Sequence, residues 1–393
     1  MRAQNTLSLI RRSAAALAVV VGLMILLSRS LIPIDAERFV DNGATPQPPA
    51  SPEATALYER LRVVDLHADS LLWRRDLAVR SGKGLVDIPR HSAHGIAVQV
   101  YMAVVEAPSD VTGEAIPEEG DKVRMVAFLD GWPMRTWFSP RKRAFYLADK
   151  LKKVERDRPE TFKLLLSHEE LEDFLSRRES DRKLTAGLLG LEGAHATGWR
   201  VDGLDRLHEA GFRSLSLAHY SDTPFAGSSS GEKKSGLTPL GRAAVRRMNE
   251  LGMLVDVAHT SEDALTEIIA TSERPVYASH VGIRATCNHA RNLSDKALGE
   301  IAEQGGVIGV GFFREAICGS KLSGVVDAIL HVRDQVGAEF VALGSGFDVA
   351  PLPLGPQDLD VLVDRLLQEG LTNEEVAGVM GENFLRYLDR AWR

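Results

Sequence analysis

The chain has 393 residues, of which 44% are hydrophobic and 26% are charged, and its formal net charge is −7. This size and composition are typical of a globular protein with one large α/β domain or two ordinary ones. The negative charge and the lack of an extended Lys/Arg-rich run beyond the N-terminus argue against a nucleic-acid partner.

The N-terminus has the pattern of an export signal. An uninterrupted apolar run from Ala14 to Leu27 follows Arg11 and Arg12, which suits a signal-peptide core or, with the apolar residues after it, a membrane-spanning helix. Positive charge ahead of the run places the rest of the chain across the membrane. We expect an uncleaved anchor within residues 1–40 and an extracytoplasmic domain, although cleavage near Ser30 or Ala36 remains open.

A Pro-rich stretch follows this segment. The sequence "DNGATPQPPASPE" begins at Asp41, and its composition predicts a tether between the membrane and the domain. The resulting domain prediction is a signal anchor over 1–40, a linker over 41–55 and a folded domain over 56–393.

From Arg62 onward, short apolar runs alternate with amphipathic stretches. Several of these stretches begin at a Ser, Thr or Asp cap and end at Gly. Eight near-continuous apolar strands, each followed by helix, predict a (β/α)8 TIM-type barrel rather than an open sheet. The segment from Glu106 to Glu172 is predicted to be an insertion with extra helix after the second strand. The predicted strands are Arg62–Leu66, Ile96–Val105, Ala186–Leu191, Ser214–Ala218, Met253–Ala258, Val276–Ser279, Gly306–Phe313 and Phe340–Gly344.

The stretch "VVDLHADSLLW" places Asp65, His67 and Asp69 two residues apart. In an extended chain, alternate side chains project to the same side, so these three groups are expected to share one face. An isolated His-x-Asp is more often a hydrogen-bonded turn than a metal site. The positions of the other candidate ligands therefore decide between the two interpretations.

Further imidazoles and a carboxylate fall at the ends of other predicted strands. The carboxyl ends of all barrel strands meet at one face, so these groups are expected to converge, and a shared cation removes the cost of burying them unpaired. Imidazole and carboxylate without cysteine suit a catalytic Zn²⁺ site, and six groups exceed what one tetrahedral ion accepts, which predicts two ions. The candidates are His67, Asp69, Glu192, His219, His259 and His280.

The joint pattern resembles the membrane (renal-type) dipeptidases, peptidase family M19 of the amidohydrolase superfamily. The similarity runs in order from about Val63 to Leu388, through "EGAH", "LAHYSDTPFAGSSSG", "VDVAHTS", "SHVGIRATCNHARNLSD" and "ALGSGFD". It implies that His67 and Asp69 hold one zinc, that His259 and His280 hold the other, and that Glu192 bridges them.

The same resemblance assigns two further roles. His219 matches the histidine that polarises the scissile carbonyl and stabilises the developing oxyanion. Arg291 matches the arginine that pairs with the free carboxylate of the substrate. Spacing alone leaves Cys287 and Cys318 as free thiols or as one pair, whereas the resemblance implies a disulfide between them.

One position departs from the family pattern. The resemblance implies an aspartate that shuttles a proton to the leaving amine, but the sequence "GSGFDVA" has Gly346 there. Loss of a general acid/base typically lowers the rate by about 10²–10⁴-fold. Asp348 is the candidate to replace this proton shuttle, because a flexible glycine at 346 would let the Asp348 side chain move toward the site.

These observations predict a membrane-tethered zinc dipeptidase in which a metal-bridging hydroxide attacks the amide of a small dipeptide substrate. The alternative is a weakened or inactive relative that binds metal and peptide. Lactone or phosphoester hydrolysis is a third option, although no lysine occupies a strand end. A homodimer is expected from the family resemblance alone.

Overall fold

The computed structural model describes residues 34–111, 115–117 and 119–393, together with residues 17, 20 and 22. The predicted membrane segment therefore lies almost entirely outside the described residues. Within the described part of the chain, no helix has the length and apolar character needed to span a bilayer. The anchor thus remains a prediction from the sequence.

The core of the molecule is a closed barrel of parallel strands. The strands are β1 Val63–Ala68, β2 Ile96–Val104, β3 Phe162–Leu164, β4 Thr185–Glu192, β5 Phe212–Ser216, β6 Leu254–Asp256, β7 Tyr277–Val281, β8 Val307–Val310 and β9 Val341–Leu343. Around the barrel they follow the order β2-β1-β9-β8-β7-β6-β5-β4, and pairing of β2 with β4 closes the ring. The short strand β3 pairs with the first residues of β4.

Helices surround the barrel and connect its strands. They are α1 Pro52–Tyr58, α2 Ile88–Ala93, α3 Lys122–Leu129, α4 Pro140–Asp157, α5 His168–Ser180, α6 Gly203–Glu209, α7 Pro239–Leu251, α8 Glu262–Thr271, α9 Asp295–Glu303, α10 Arg314–Ile317, α11 Leu322–Val336, α12 Leu359–Gln368, α13 Asn373–Ala377 and α14 Asn383–Trp392. Short 3₁₀ turns occupy Ala36–Phe39, Ser70–Leu72, Met134–Thr136, Ala194–Thr197, Ala338–Phe340 and Pro356–Asp358, and a π turn occupies Gly378–Glu382.

The structure confirms the predicted barrel and the insertion after the second strand, which carries α3, α4 and α5. The sequence analysis missed β3, because three residues are too few to show a periodicity. Predicted strand limits differ by a few residues. In particular, β8 ends at Val310, so Phe313 belongs to the loop at the mouth of the barrel.

Local sequence signals explain where several helices begin and end. The side chains of Thr238, Ser261 and Ser294 each accept a hydrogen bond from the amide three residues later, as N-caps do. Gly252 ends α7 in the left-handed conformation, with φ 67°. These caps fix the ends of α7, α8 and α9, and with them the loops that carry site residues.

The N-terminal strap, residues 34–51, follows the loops at the carboxyl end of the barrel. The Ile34 amide donates to the Leu129 carbonyl (2.8 Å), and the Thr45 amide donates to the Leu352 carbonyl (2.9 Å). Gln47 Nε2 donates to the Pro353 carbonyl at 2.6 Å. Much of the predicted linker is therefore bound to the domain, and its role as a membrane tether remains a prediction.

A chain of buried charges joins the strap to the mouth of the barrel. Arg75 Nε donates to Glu37 Oε1 at 2.9 Å, and its guanidinium also pairs with the Asp348 carboxylate. The side chains of all three residues are 8% exposed or less. Since a buried charge is stable only when it is paired, Arg75 links three separate segments.

We predict that Arg75→Met lowers the free energy of unfolding by about 3–5 kcal/mol, because it leaves two buried carboxylates without a counter-ion. Chemical denaturation monitored by circular dichroism measures this change. Lys153→Met is the matched control, since Lys153 pairs with Asp76 and Asp157 at an exposed site. A small effect of both substitutions would contradict the structural role of Arg75.

Candidate metal centre

The first group of candidate ligands comes from β1. His67 lies within that strand and Asp69 directly follows it, with 3.5 Å between His67 Nε2 and Asp69 Oδ1. The backbone here is held by the loop after β9, since the Asp69 amide donates to the Phe347 carbonyl (3.0 Å) and the Gly346 amide donates to the His67 carbonyl (3.2 Å). The β9 loop therefore sets the position of both ligands.

The Glu192 carboxylate is the centre of the cluster. Glu192 is the last residue of β4 and is buried. Its Oε1 atom lies 3.1 Å from His259 Nε2, 3.3 Å from His280 Nε2 and 3.8 Å from His67 Nε2, and its Oε2 atom lies 3.3 Å from His219 Nε2. Four imidazoles from four strands or strand ends thus converge on one carboxylate, as the sequence predicted.

Two of these histidines follow strands at tight turns. His219 comes three residues after β5 and His259 comes three residues after β6. His259 has φ 66°, a left-handed conformation that is uncommon for a residue other than glycine and is found most often at functional sites. The Tyr220 ring packs against both imidazoles, with centroid distances of 4.2 and 5.4 Å. This packing holds the rings in place.

Arg291 reaches the cluster from the loop after β7. Its Nη2 atom donates to the His280 carbonyl (2.9 Å) and lies 2.8 Å from His280 Nε2. The Phe313 ring lies beside both residues, 6.0 Å from the Arg291 guanidinium carbon and 5.7 Å from the His280 ring. Arg291 Nη1 is buried and has no hydrogen-bond partner, so it can receive an anion.

The residues present fit a divalent metal. Four buried nitrogen donors and the carboxylates of Asp69 and Glu192 face one another without thiols, which is the donor set that Zn²⁺ prefers at catalytic sites. His259 Nε2 and His280 Nε2 are only 3.2 Å apart, and both face the same oxygen atom of Glu192. Asp69 Oδ1 is buried without a hydrogen-bond partner. A cation satisfies these atoms together.

Outer contacts set which ring nitrogen faces the cluster. Ser279 Oγ lies 2.8 Å from His280 Nδ1, and the Glu106 carbonyl lies 3.2 Å from His219 Nδ1. Because the Nδ1 atoms have these partners, the Nε2 atoms of His219 and His280 remain for the cluster. Such contacts orient ligating imidazoles in metalloproteins.

The electrostatics of the cluster also favour a cation. Burial lowers the pKa values of His219, His259 and His280 well below the ordinary value, so these rings are neutral, as metal ligands must be. Burial raises the pKa of Glu192. Burial opposes protonation of His67, but the charges of Asp69 and Glu192 outweigh it and raise the His67 pKa to about 9. The two carboxylates therefore attract positive charge to this point.

A polar layer lies beneath the ligands, and the sequence analysis did not recognise it. Gln99 Nε2 donates to Asp65 Oδ2 (2.6 Å), and the Ser345 amide donates to Asp65 Oδ1 (2.7 Å). Asp256 accepts from the Ser279 amide at 3.0 Å. Asp65 was expected to share a face with His67 and Asp69, but its carboxylate is used by Gln99 and Ser345. The sequence did contain a signal for this layer, because Gln99 is a polar residue within the apolar strand "IAVQVYMAV".

Asp348 lies outside the ligand cluster. Its carboxylate is buried and accepts hydrogen bonds from Ser70 Oγ and the Leu85 amide, both at 2.5 Å, in addition to the ion pair with Arg75. Every contact of this carboxylate is thus with the β1 loop. The predicted catalytic role of Asp348 would require it to leave all three partners.

An apolar side chain lies next to Gly346. Gly346 has φ 74°, and a Cβ at this position would lie 3.1 Å from the ring of Phe313. Phe313 thus borders the space that a side chain at position 346 would enter. The mouth has an apolar wall where the resemblance implies a carboxylate.

Cys287 and Cys318 form a disulfide, as the resemblance implied. The bond joins the loop that carries Arg291 to the loop after β8. Asn292 adds to this link, because its Nδ2 atom donates to the carbonyls of Cys287 (2.8 Å) and Glu315 (2.9 Å). Arg291 is therefore held on a braced loop beside a cavity of about 280 Å³ that it lines together with Ser229.

Comparison with known proteins identifies the family. The model of the membrane dipeptidase family, peptidase family M19, matches residues 52–392. The chain belongs to this family. The match covers the whole barrel, including every candidate ligand.

Individual relatives agree with this family assignment. Dipeptidase tcpJ of Claviceps purpurea (strain 20.1) is 34% identical over 213 residues, which cover 52% of this chain and 50% of tcpJ. The chain thus matches about half the length of this curated relative. The M19 family implies a metal cofactor, which agrees with the clusters that Glu192 forms with His67 and His280 and with His219 and His259.

Two solved structures share the fold. The probable dipeptidase PvdM from Pseudomonas aeruginosa has a TM-score of 0.72 and 22% identity, with 86% of this chain and 98% of PvdM covered. A metallo peptidase from Rhodobacter sphaeroides, liganded with a phosphinate mimic of the dipeptide L-Ala-D-Ala, has a TM-score of 0.70 and 23% identity, with 84% and 99% covered.

We predict that Glu192→Gln strongly reduces the metal content of the purified protein, because the amide removes the negative charge on which the imidazoles converge. Elemental analysis after dialysis against a trace of Zn²⁺ measures the stoichiometry. Glu169→Gln, at an exposed position on α5, is the control and should bind as much metal as the unchanged protein. Equal metal content in all three proteins would exclude Glu192 as a ligand.

Proposed function

We propose that this M19 protein is a zinc-dependent dipeptidase that hydrolyses the amide bond of small dipeptides with a free carboxylate. The observation that carries this proposal is the position of Arg291. Its guanidinium contacts His280 inside the cluster, and its buried Nη1 atom has no partner. A carboxylate bound there would have its neighbouring amide directed at the candidate metal centre.

The ligand set supports two ions per chain. The family resemblance assigns His67 and Asp69 to one ion and His259 and His280 to the other, with Glu192 as the bridge. In the structure, the ligand atoms that lie closest together group His67 with His280 and His219 with His259, and Glu192 belongs to both groups. When bound, such a pair supplies a Lewis acid and an activated water for hydrolysis. The presence of two zinc ions is part of the proposal, since other divalent metals accept similar ligands.

The family resemblance assigns to His219 the stabilisation of negative charge on the substrate. It is buried beside Glu192 with its Nδ1 atom 3.2 Å from the Glu106 carbonyl, so a ring that gains a second proton as the oxyanion develops would donate from Nδ1 to that carbonyl and from Nε2 to the substrate oxygen. Binding and orientation of the carbonyl by His219, together with the carboxylate contact of Arg291, would hold the amide at two points. This geometry suits a substrate of dipeptide length.

Two features support an extracytoplasmic site of action. The apolar run after Arg12 has the pattern of an export signal, and the disulfide between Cys287 and Cys318 is of a kind that persists in oxidising compartments. We therefore propose a membrane-anchored protein whose barrel faces the periplasm or the exterior. Dimer formation remains a prediction from the family resemblance.

Hydrolysis of L-Ala-D-Ala and of L,L-dipeptides by the purified full-length chain with added Zn²⁺ tests the proposal. L-Ala-D-Ala is the appropriate first substrate, since the similar Rhodobacter sphaeroides peptidase binds a mimic of it. We expect metal-dependent release of free amino acids. No release above the blank, from a protein that retains its metal, would instead support a relative that binds peptide without cleaving it.

Arg291→Met should lower kcat/KM for dipeptides by about 10- to 100-fold, as expected for the loss of a hydrogen bond to a charged group. A dipeptide amide, which lacks the carboxylate, provides the control because its kcat/KM should change little. Steady-state kinetics on both substrates separates the two effects. An equal loss on both would show that Arg291 supports the metal centre rather than the substrate carboxylate.

Gly346→Asp tests the missing proton shuttle. Aspartate tolerates the left-handed backbone better than most residues, although its Cβ must displace the Phe313 ring by a few tenths of an ångström. We expect kcat to rise by as much as about 10²-fold, the lower range of general acid/base effects.

Gly346→Asn is the matched variant, because asparagine has nearly the same shape and the same tolerance of this backbone but carries no titratable group. It should give no increase. Equal kcat values for the unchanged protein and both variants would mean that another group already transfers the proton.

A further inference from the structure

The exposed apolar side chains of the domain are not scattered over its surface. From residue 34 onward, the described part of the chain has six large hydrophobic side chains that are 36–77% exposed. All six lie on the strap or on the loops that follow β1, β2 and β9, which is the end of the barrel that carries the metal centre. They are Phe39, Val79, Met125, Met134, Phe138 and Val349. We call this set the mouth-side patch.

Contacts between the supporting elements bring these residues to one region. The Ala36 amide of the strap donates to Asp130 Oδ1 at 2.5 Å, which places Phe39 beside the end of α3. Arg124, next to Met125 on α3, lies over the Phe138 ring at 5.4 Å. The ion pair between Arg75 and Asp348 joins the loops of Val79 and Val349. Exposed apolar side chains gathered at one end of a domain indicate an interaction site.

Exposed basic residues lie close in sequence to Phe138 and Phe39. Residues 131–148 contain no Asp or Glu, but they include Arg135 and Lys142, both exposed. Arg38, next to Phe39, is also exposed. None of these three cations forms an ion pair within the described residues. This local charge contrasts with the net charge of −7 for the whole chain.

The path of the chain indicates that the mouth-side patch lies near a membrane. The apolar run of the sequence ends at Leu27, only seven residues before Ile34, whose amide is bonded to Leu129 at the end of α3. Seven residues span at most about 25 Å. If the run enters a bilayer, the mouth-side patch is therefore held close to the membrane surface.

We propose that the mouth-side patch docks on the surface of an anionic lipid bilayer, with Phe138, Met134 and Phe39 entering the interfacial region and the neighbouring Arg and Lys side chains contacting acidic headgroups. Aromatic and aliphatic side chains flanked by basic residues bind such interfaces through combined apolar burial and charge attraction. The opening of the metal centre then faces the membrane. This inference does not depend on catalytic turnover.

Site-specific fluorescence of the full-length protein tests the proposal. The chain has two cysteines, and both are in the disulfide, so Phe138→Cys introduces one reactive thiol for an environment-sensitive NBD label. Ser180→Cys is the control, because Ser180 ends α5 at the opposite end of the barrel. Both proteins are reconstituted into vesicles of phosphatidylglycerol and phosphatidylcholine.

We expect blue-shifted, brighter emission and quenching by spin-labelled lipid at position 138 but not at position 180. Since each basic residue near an anionic leaflet contributes roughly a fivefold factor, Arg135→Gln with Lys142→Gln should lower the ratio of docked to undocked label by roughly 25-fold.

Three outcomes would overturn the proposal. Equal emission at positions 138 and 180 would show that the patch does not reach the bilayer. An equal shift in vesicles of phosphatidylcholine alone would exclude recognition of acidic headgroups. A shift that persists in detergent without lipid and increases with protein concentration would instead identify a second copy of this chain as the occupant.

Discussion

The structure depends on the burial of the Glu192 carboxylate among four imidazoles. A buried charge is expensive unless an opposite charge accompanies it. Burial raises the pKa of Glu192, and the carboxylates of Asp69 and Glu192 raise the pKa of His67, so both shifts favour positive charge at this point. A divalent cation supplies that charge. The barrel serves this arrangement by bringing the ends of separate strands to one mouth, where short side chains can meet.

Some site residues could be predicted from the sequence because they lie in the strands that form the barrel. His67, Glu192 and His280 lie in strands or at their last residues, so the apolar pattern of each strand fixed their positions without knowledge of the packing. Gln99 and Ser345 were different. Each is an ordinary polar residue by itself, and only the closure of the barrel reveals that both bind Asp65. The docking of the strap likewise depends on contacts between residues that are far apart in the sequence, such as Thr45 and Leu352, and no local pattern encodes such contacts.

The mouth of this family member differs from the implied pattern at Gly346. Gly346 removes a side chain, Phe313 borders the space, and the Asp348 carboxylate is held by Arg75 and Ser70. A carboxylate at position 346 would be a third negative charge beside Asp69 and Glu192, whereas the Asp348 carboxylate is paired with Arg75 and adds none. Relative to the implied pattern, the site therefore carries one negative charge fewer and has no carboxylate at position 346. Substrates whose leaving group needs less protonation would be least affected by that loss.

The same ion pair gives the N-terminal strap a connection to the metal centre. Glu37 of the strap pairs with Arg75, Arg75 pairs with Asp348, and the adjacent Phe347 carbonyl accepts the Asp69 amide. Each link is buried, so a shift at one end changes the environment of the next. The strap begins on the mouth side of the barrel, since Ile34 is bonded to Leu129. The chain therefore enters the domain at the end that carries the candidate metal centre. The docking of the strap and the position of the candidate ligand Asp69 are therefore set by one set of contacts.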